Sequence, residues 1–184
     1  MERVSKAAAI FAIAVLAGFA PAMAATVRVA GDGHARIPFD VQAGHVWVRG
    51  VCRGSDSLWI AVDTGASSAA IDLGLARALG FEPRGRHESL GAGGAQEGAS
   101  VADVTVVIGG VSIHRDSMDA LDFAALSAQS SHPLEIIIGY ELFEACVVRF
   151  DYALGIMDVW EAARAPESRP GISVPMTLED HSSW

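Results

Sequence analysis

From residue 26 onward, apolar and polar residues alternate along much of the chain with a period of two, the spacing of a strand that buries one face. Residues 26–30 follow this pattern until Gly31, Asp32 and Gly33 break it, and residues 37–41 form a second run. Ala43 and Gly44 turn the chain into 45–52, where Val46, Val48 and Val51 mark a strand. Gly54, Ser55 and Asp56 signal a turn, and the apolar run 58–62 returns as a buried strand. After the short apolar piece 69–71, Asp72 has the chemistry of a helix N-cap. Leu75 and Leu79, four apart, share one face of a short helix over 73–79, and Gly80 closes it. A polar stretch, 82–89, leads to a glycine-rich segment at 91–94. Residues 101–108 and 111–118 read as a hairpin turning at Gly109 and Gly110. Residues 119–129 fit a short helix or a packed loop. The apolar run 134–138 precedes a second short helix after Gly139, and 146–150 and 156–160 form a last strand pair. Beyond residue 161, Pro166, Pro170 and Pro175 mark an irregular tail. Many short strands with turns between them, two short helices and no internal repeat predict one mostly β domain.

Composition narrows the picture. The 184 residues suffice for one core, and 51% hydrophobic against 19% charged residues argues against disorder. A formal net charge of −9, with no basic run, makes nucleic acid an unsuitable partner. The N-terminus has the anatomy of an export signal: Arg3 and Lys6, an uncharged apolar stretch at 7–20, then Ala22-Met23-Ala24 as a cleavage site. That stretch is shorter than the ~20 residues of a bilayer span, so the mature chain is expected to hold no stable membrane span. Cleavage after Ala24 implies a periplasmic or secreted protein, and an uncleaved segment would instead anchor it in the inner membrane. In an oxidising compartment Cys52 and Cys146 could form a disulfide, or could pack as free thiols. No Cys-x-x-Cys or His-x-x-x-His spacing points to a metal.

The candidate chemistry lies at Asp63. A carboxylate ending an apolar strand is costly to desolvate unless hydrogen bonds or a function compensate. Gly65 permits a sharp turn that aims backbone N–H groups at the carboxylate, and Thr64 places a hydroxyl beside it. Asp-Thr-Gly by itself is also a common turn tripeptide. Ser67 and Ser68 lie in no Gly-x-Ser-x-Gly elbow, which argues against a serine hydrolase. The six histidines are scattered, and Trp47, Trp59 and Trp160 fall in strand segments where core or interface packing is expected.

In three places the sequence resembles the retropepsin-like aspartic peptidases, including the single-domain bacterial members. Val62-Asp63-Thr64-Gly65-Ala66-Ser67 is similar to the family's catalytic loop, with Ser67 where retroviral relatives usually carry Asp. Gly91-Ala92-Gly93-Gly94 is placed like the tip of its flap, where substrate binds, although a flexible surface loop reads nearly as well. Ile136, Ile137, Ile138 and Gly139 resemble the apolar-apolar-Gly element that packs under the catalytic loop. The resemblance spans residues 37–160, leaving a signal peptide at 1–24, a lead at 25–36 and a tail at 161–184. It implies a closed or partly open β-barrel with a flap hairpin and one or two short helices. It further implies an endopeptidase without cofactor or metal, acting on a peptide or protein. Asp63 would be catalytic, with Thr64, Gly65, Ala66 and Ser67 supporting the loop and Ile137, Ile138 and Gly139 packing beneath it. No second Asp-Thr-Gly or Asp-Ser-Gly exists in the chain, so the second carboxylate would come from another copy in a homodimer. The competing reading is a non-catalytic module of the same fold that binds peptide or assembles in the cell envelope.

Overall fold

The computed structural model describes residues 25–91 and 94–167, together with 172, 174 and 175. The expected signal segment, 1–24, lies outside the described residues. The strands are β1 (Thr26–Val29), β2 (His34–Gln42), β3 (His45–Cys52), β4 (Leu58–Val62), β5 (Ala70–Asp72), β6 (Arg84–Gly91), β7 (Gly94–Ile108), β8 (Val111–Leu121), β9 (Ile136–Ile138), β10 (Cys146–Asp151) and β11 (Ile156–Glu161). Three short helices, α1 (Leu73–Ala78), α2 (Ala124–Ser127) and α3 (Tyr140–Ala145), sit between them, and a 3-10 turn, Ala162–Arg164, follows β11. Residues 25–36, set apart above as a lead, supply β1 and the start of β2, and β1 pairs with β8.

The strands form one eleven-stranded sheet in the order β10-β11-β2-β3-β4-β9-β5-β8-β7-β6, with β1 added at β8. The sheet curls back on itself: β3 also meets β7, at Val51↔Val107 and Cys52↔Val106, closing a ring through β3, β4, β9, β5, β8 and β7. The arrangement is mostly β, and the closure is too brief to make a continuous barrel.

Alternation explains which residues point where. In β3, Val46 and Val48 enter the main core while Trp47 faces the other way. In β4, Leu58, Ile60 and Val62 join the main core and Ala61 faces away; in β9, Ile136 and Ile138 do so while Ile137 faces away. The second face is buried too, by Leu121, Phe123 and Leu134 around Trp47, Ala61 and Ala70. Both faces of these central strands are therefore covered, which is why their sequences are apolar runs. Fully burying a side chain such as Ile138 contributes about 1.5–3 kcal/mol.

Local signals set the ends of the elements. Asp72 caps α1 by accepting from Leu75 N–H at 2.8 Å, and its other oxygen accepts from Phe123 N–H at 3.2 Å, tying α1 to the segment that covers the second face. Gly80, at φ +75°, ends α1, with Gly80 N–H on Arg77 O and Phe81 N–H on Ala76 O. Gly109 and Gly110 both have positive φ in the β7–β8 turn, as a tight two-residue hairpin turn requires. The polar stretch 82–89 was not read as a strand above. From Arg84 it becomes β6, because it pairs with β7 without needing an apolar face. Residues 119–129, left open between helix and loop, divide between the end of β8 and the single turn α2.

Cys52 and Cys146 do not form the disulfide left open above; both are free thiols. Cys52 is fully buried in β3, where burial pushes its thiol up to about 11, and Cys146 is half-buried at the head of β10. Each is fixed by its own strand pairing, Cys52 to Val106 and Cys146 to Glu161, which leaves them on separate parts of the sheet.

A charged cluster pins the β10-β11-β2 edge. Asp158, 2% exposed, accepts from Arg149 and meets His34 Nε2 at 2.8 Å and Arg36 Nε at 3.6 Å, while His34 stacks on Trp160. Burial alone would raise the Asp158 carboxyl, but hydrogen bonds from Arg149 and His34 and the charges of Arg149 and Arg36 outweigh it and hold it below its ordinary value. The folded chain therefore releases this proton more readily than the unfolded chain does. The cluster stabilises the fold fully above the ordinary aspartate value of 3.8, and that contribution is lost as pH falls through the lowered one. Thermal melts of the wild type should show this acid limb, and Asp158→Asn should flatten it. Asp158→Ala, which leaves Arg149 without its carboxylate, should cost about 3 kcal/mol in urea unfolding.

Candidate active site

Asp63 immediately follows β4, and β4 runs parallel to β9 with Ile60↔Ile136, Ala61↔Ile137 and Val62↔Ile138 in register. The pairing continues one step past the strand, where Asp63 N–H donates to Ile138 O at 3.0 Å. The chain then turns: Ala66 N–H reaches Asp63 O at 3.2 Å, and Gly65 N–H donates to Asp63 Oδ1 at 2.8 Å. An amide held on one oxygen fixes the carboxylate's direction and leaves Oδ2 free. Gly65 does not have a positive φ; its amide, rather than a left-handed turn, serves the carboxylate. Asp63 is half-exposed in the single chain, and Thr64 and Ser67 are exposed beside it.

The loop is clamped from below. Tyr140 N–H donates to Ala66 O at 2.8 Å, and Gly139 lies so close that an added Cβ would stand 2.7 Å from Ala66 O and 2.9 Å from Ser68 O. Only a residue without a side chain permits this approach. Ile138 is buried in the main core and Ile137 packs on the second face. The structure thus brings Asp63, Gly65, Ala66, Ile138 and Gly139 into one bonded unit.

Gly91 and Gly94 form the last pair of the β6–β7 ladder. Ala92 and Gly93, the other expected flap residues, lie outside the described residues. At the base of this hairpin, His87 of β6 reaches over Gly98 of β7, and its Nε2 stands 3.1 Å from Asp119 Oδ1 on β8. This is close enough for an ion pair, though not aligned as a hydrogen bond. A Cβ at position 98 would collide with Leu121 at 2.4 Å and sit 3.4 Å from His87 Nε2.

Sequence reasoning did not single out Glu141. Its carboxyl is 5% exposed, and Oε1 accepts from Ala69 N–H at 2.8 Å, just past the Asp63 loop. The available signal was a single acid within an otherwise apolar stretch, 136–143, broken only by Gly139 and Tyr140. The Trp59 ring, which stacks on His132 at 3.6 Å and carries the Arg49 guanidinium 4.4 Å from its centre, was likewise not foreseen as a stack. Trp47 and Trp160 are buried, as their strand positions suggest. Among the described residues, no group of three or more His, Cys, Asp or Glu is placed to hold a metal ion.

The sequence model of the family described as aspartyl protease matches residues 45–142, from the start of β3 into α3. The chain belongs to the aspartyl protease family. The match contains the Asp63 loop, the β6–β7 hairpin and the Ile138-Gly139 clamp of this aspartyl protease family member. No curated protein matches the chain. Among solved structures, it is similar to a retropepsin-like aspartic protease from Rickettsia conorii, at 20% identity over 74% of this chain and 93% of the other, with a TM-score of 0.45. It is also similar to the retroviral protease-like domain of Ddi1 from Leishmania major, at 17% identity over 67% and 95%, with a TM-score of 0.45.

The clamp gives a direct test. Gly139→Ala should force Ala66 and Ser68 away from β9, costing about 1–3 kcal/mol of stability by urea unfolding. The same volume added at exposed Gly54, where an added Cβ meets nothing within 4 Å, should show only the penalty of its positive φ.

Proposed function

We propose that this chain is an aspartic endopeptidase in which Asp63 from each of two copies forms the catalytic pair. The observation that carries the proposal is the Asp63 carboxylate itself: oriented by Gly65 N–H, half-exposed, and set on a loop clamped by Gly139 and Tyr140. The family match supports hydrolysis of peptide bonds as its chemistry. One Asp-Thr-Gly per chain supports pairing across a two-fold axis.

In such a pair two carboxylates come within hydrogen-bond reach and hold one proton between them, because two like charges so close do not both ionise. The ionised member takes a proton from a water that attacks the scissile carbonyl, and the protonated member donates to the carbonyl oxygen. Thr64 would bond across the axis, Ala66 and Ser67 would complete the loop, and the β6–β7 hairpin would cover an extended peptide that pairs as a strand. We further propose that the protein is exported, with cleavage after Ala24 and the mature protein in the periplasm, on the support of Arg3, Lys6 and the Ala22-Met23-Ala24 site.

The test uses residues 25–184 and a mixed peptide library across pH. Asp63→Asn should lower kcat/KM by on the order of 10³-fold, and adding excess Asp63→Asn chain to the wild type should poison activity through mixed dimers. Unchanged cleavage by Asp63→Asn, or full activity from a species that sediments as a monomer, would overturn the shared pair; absence of any cleavage would favour a peptide-binding or assembly role. Mass spectrometry of the exported protein should find Ala25 at the N-terminus, whereas an intact Met1 in the membrane fraction would indicate an uncleaved anchor.

A further inference from the structure

α3 begins immediately after the clamp glycine, and its second residue, Glu141, points its carboxyl into the protein instead of toward water. Oε1 accepts from Ala69 N–H at 2.8 Å, and Oε2 is enclosed with no hydrogen-bond partner among the described residues. Ala69 is the residue at which the chain leaves the Asp63 loop and enters β5. The loop is therefore gripped at three points by one short stretch of chain: Asp63 N–H by Ile138 O, Ala66 O by Tyr140 N–H, and Ala69 N–H by Glu141. The first two grips are backbone to backbone and use no side-chain atom. The third depends on the side chain of residue 141 alone.

We propose that Glu141 is a positioning residue for Asp63, holding the outgoing limb of the loop through the Ala69 amide so that the carboxylate stays aimed at its partner. This rests on the peptidase reading above. Glu141 touches neither Asp63 nor any position open to substrate, so its contribution lies in geometry rather than in proton transfer.

The surroundings of the carboxyl define its working form. Burial raises its proton affinity above the usual glutamate range, and the amides of Glu141 itself, Ala69 and Gly139, with the charge of Arg115 on β8, only partly offset this. Arg115 is the charged side chain that acts on Glu141; Arg28 of β1 and Arg149 and Asp151 of β10, on the strands that also pack against α3, do not contribute to its shift. The proton is therefore held more tightly in the folded chain than in the unfolded one. Up to the usual glutamate range the group is neutral in both states and adds no pH dependence. As pH rises beyond that range the unfolded chain releases the proton first, and stability falls until the folded group also ionises.

Two variants separate positioning from mere packing. Glu141→Gln keeps an acceptor oxygen for Ala69 and cannot ionise; Glu141→Leu keeps the volume and removes the acceptor. Glu141→Leu is expected to lower kcat by on the order of tenfold to 100-fold while KM stays within about twofold. Glu141→Gln should retain kcat. Its melting temperature should rise above that of the wild type as pH increases, with the difference vanishing at acid pH. Hydrogen exchange of the 63–72 backbone, read without substrate, should show Ala69 protected in the wild type and Glu141→Gln and exposed in Glu141→Leu. Equal kcat in all three proteins, or equal protection of Ala69, overturns the proposal. If Glu141→Leu does not fold, a kcat for Glu141→Gln reduced as far as that of Asp63→Asn, or a melting difference independent of pH, overturns it. Should the wild type cleave nothing, the peptidase reading fails, and the exchange experiment alone still decides whether Glu141 holds the loop.

Discussion

The contact between a backbone and a backbone at Gly139 is the constraint around which this molecule is arranged. With no Cβ at that position, β9 and the start of α3 approach the Asp63 loop closely enough for Ile138 to accept from Asp63 and for Tyr140 to donate to Ala66. A turn with Gly65, Ala66 and three hydroxyl side chains after Asp63 would otherwise have many conformations. Here the backbone groups of Asp63 and Ala66 and the Gly65 amide have fixed partners, so the carboxylate keeps one orientation while half-exposed. That combination, rigid underneath and open above, suits a group whose task begins when something approaches it.

The rigidity comes from burial on both faces of the strands that carry the loop. β3, β4 and β9 place alternate residues into two clusters, one enclosed by the curled sheet and one covered by Phe123 and Leu134. Asp72 links the second cover to α1 by capping the helix with one oxygen and accepting from Phe123 with the other. A displacement of β4 would disturb both clusters, and densely packed interiors transmit such strain rather than absorb it.

Buried carboxyls divide into two kinds in this protein. Asp158 is surrounded by Arg149, His34 and Arg36 and stays charged, so it ties strands together at the expense of sensitivity to acid. Glu141 lies among backbone amides with one oxygen unpartnered, and burial pushes it toward the neutral form. The same side-chain chemistry is thus shifted in opposite directions, set by whether cations or apolar groups surround it.

Local periodicity in the sequence was enough to place β1 to β4 and β8 to β11 within a few residues, the Asp72 cap, the Gly80 stop and the Gly109-Gly110 turn, because each is decided by neighbours in the chain. The Asp63 loop and the Ile138-Gly139 element were legible through their resemblance to a known family's catalytic loop and the element beneath it, since Asp-Thr-Gly alone is also a common turn. β6 was not, since a strand whose residues are polar has no period to read, and it forms only because β7 lies beside it. The free state of Cys52 and Cys146, the closure of β3 on β7, and the reach of Glu141 back to Ala69 across 72 positions were decided by tertiary structure alone. They depend on distances between segments remote in sequence, and those distances are fixed only once the whole sheet has curled and both of its faces have found cover.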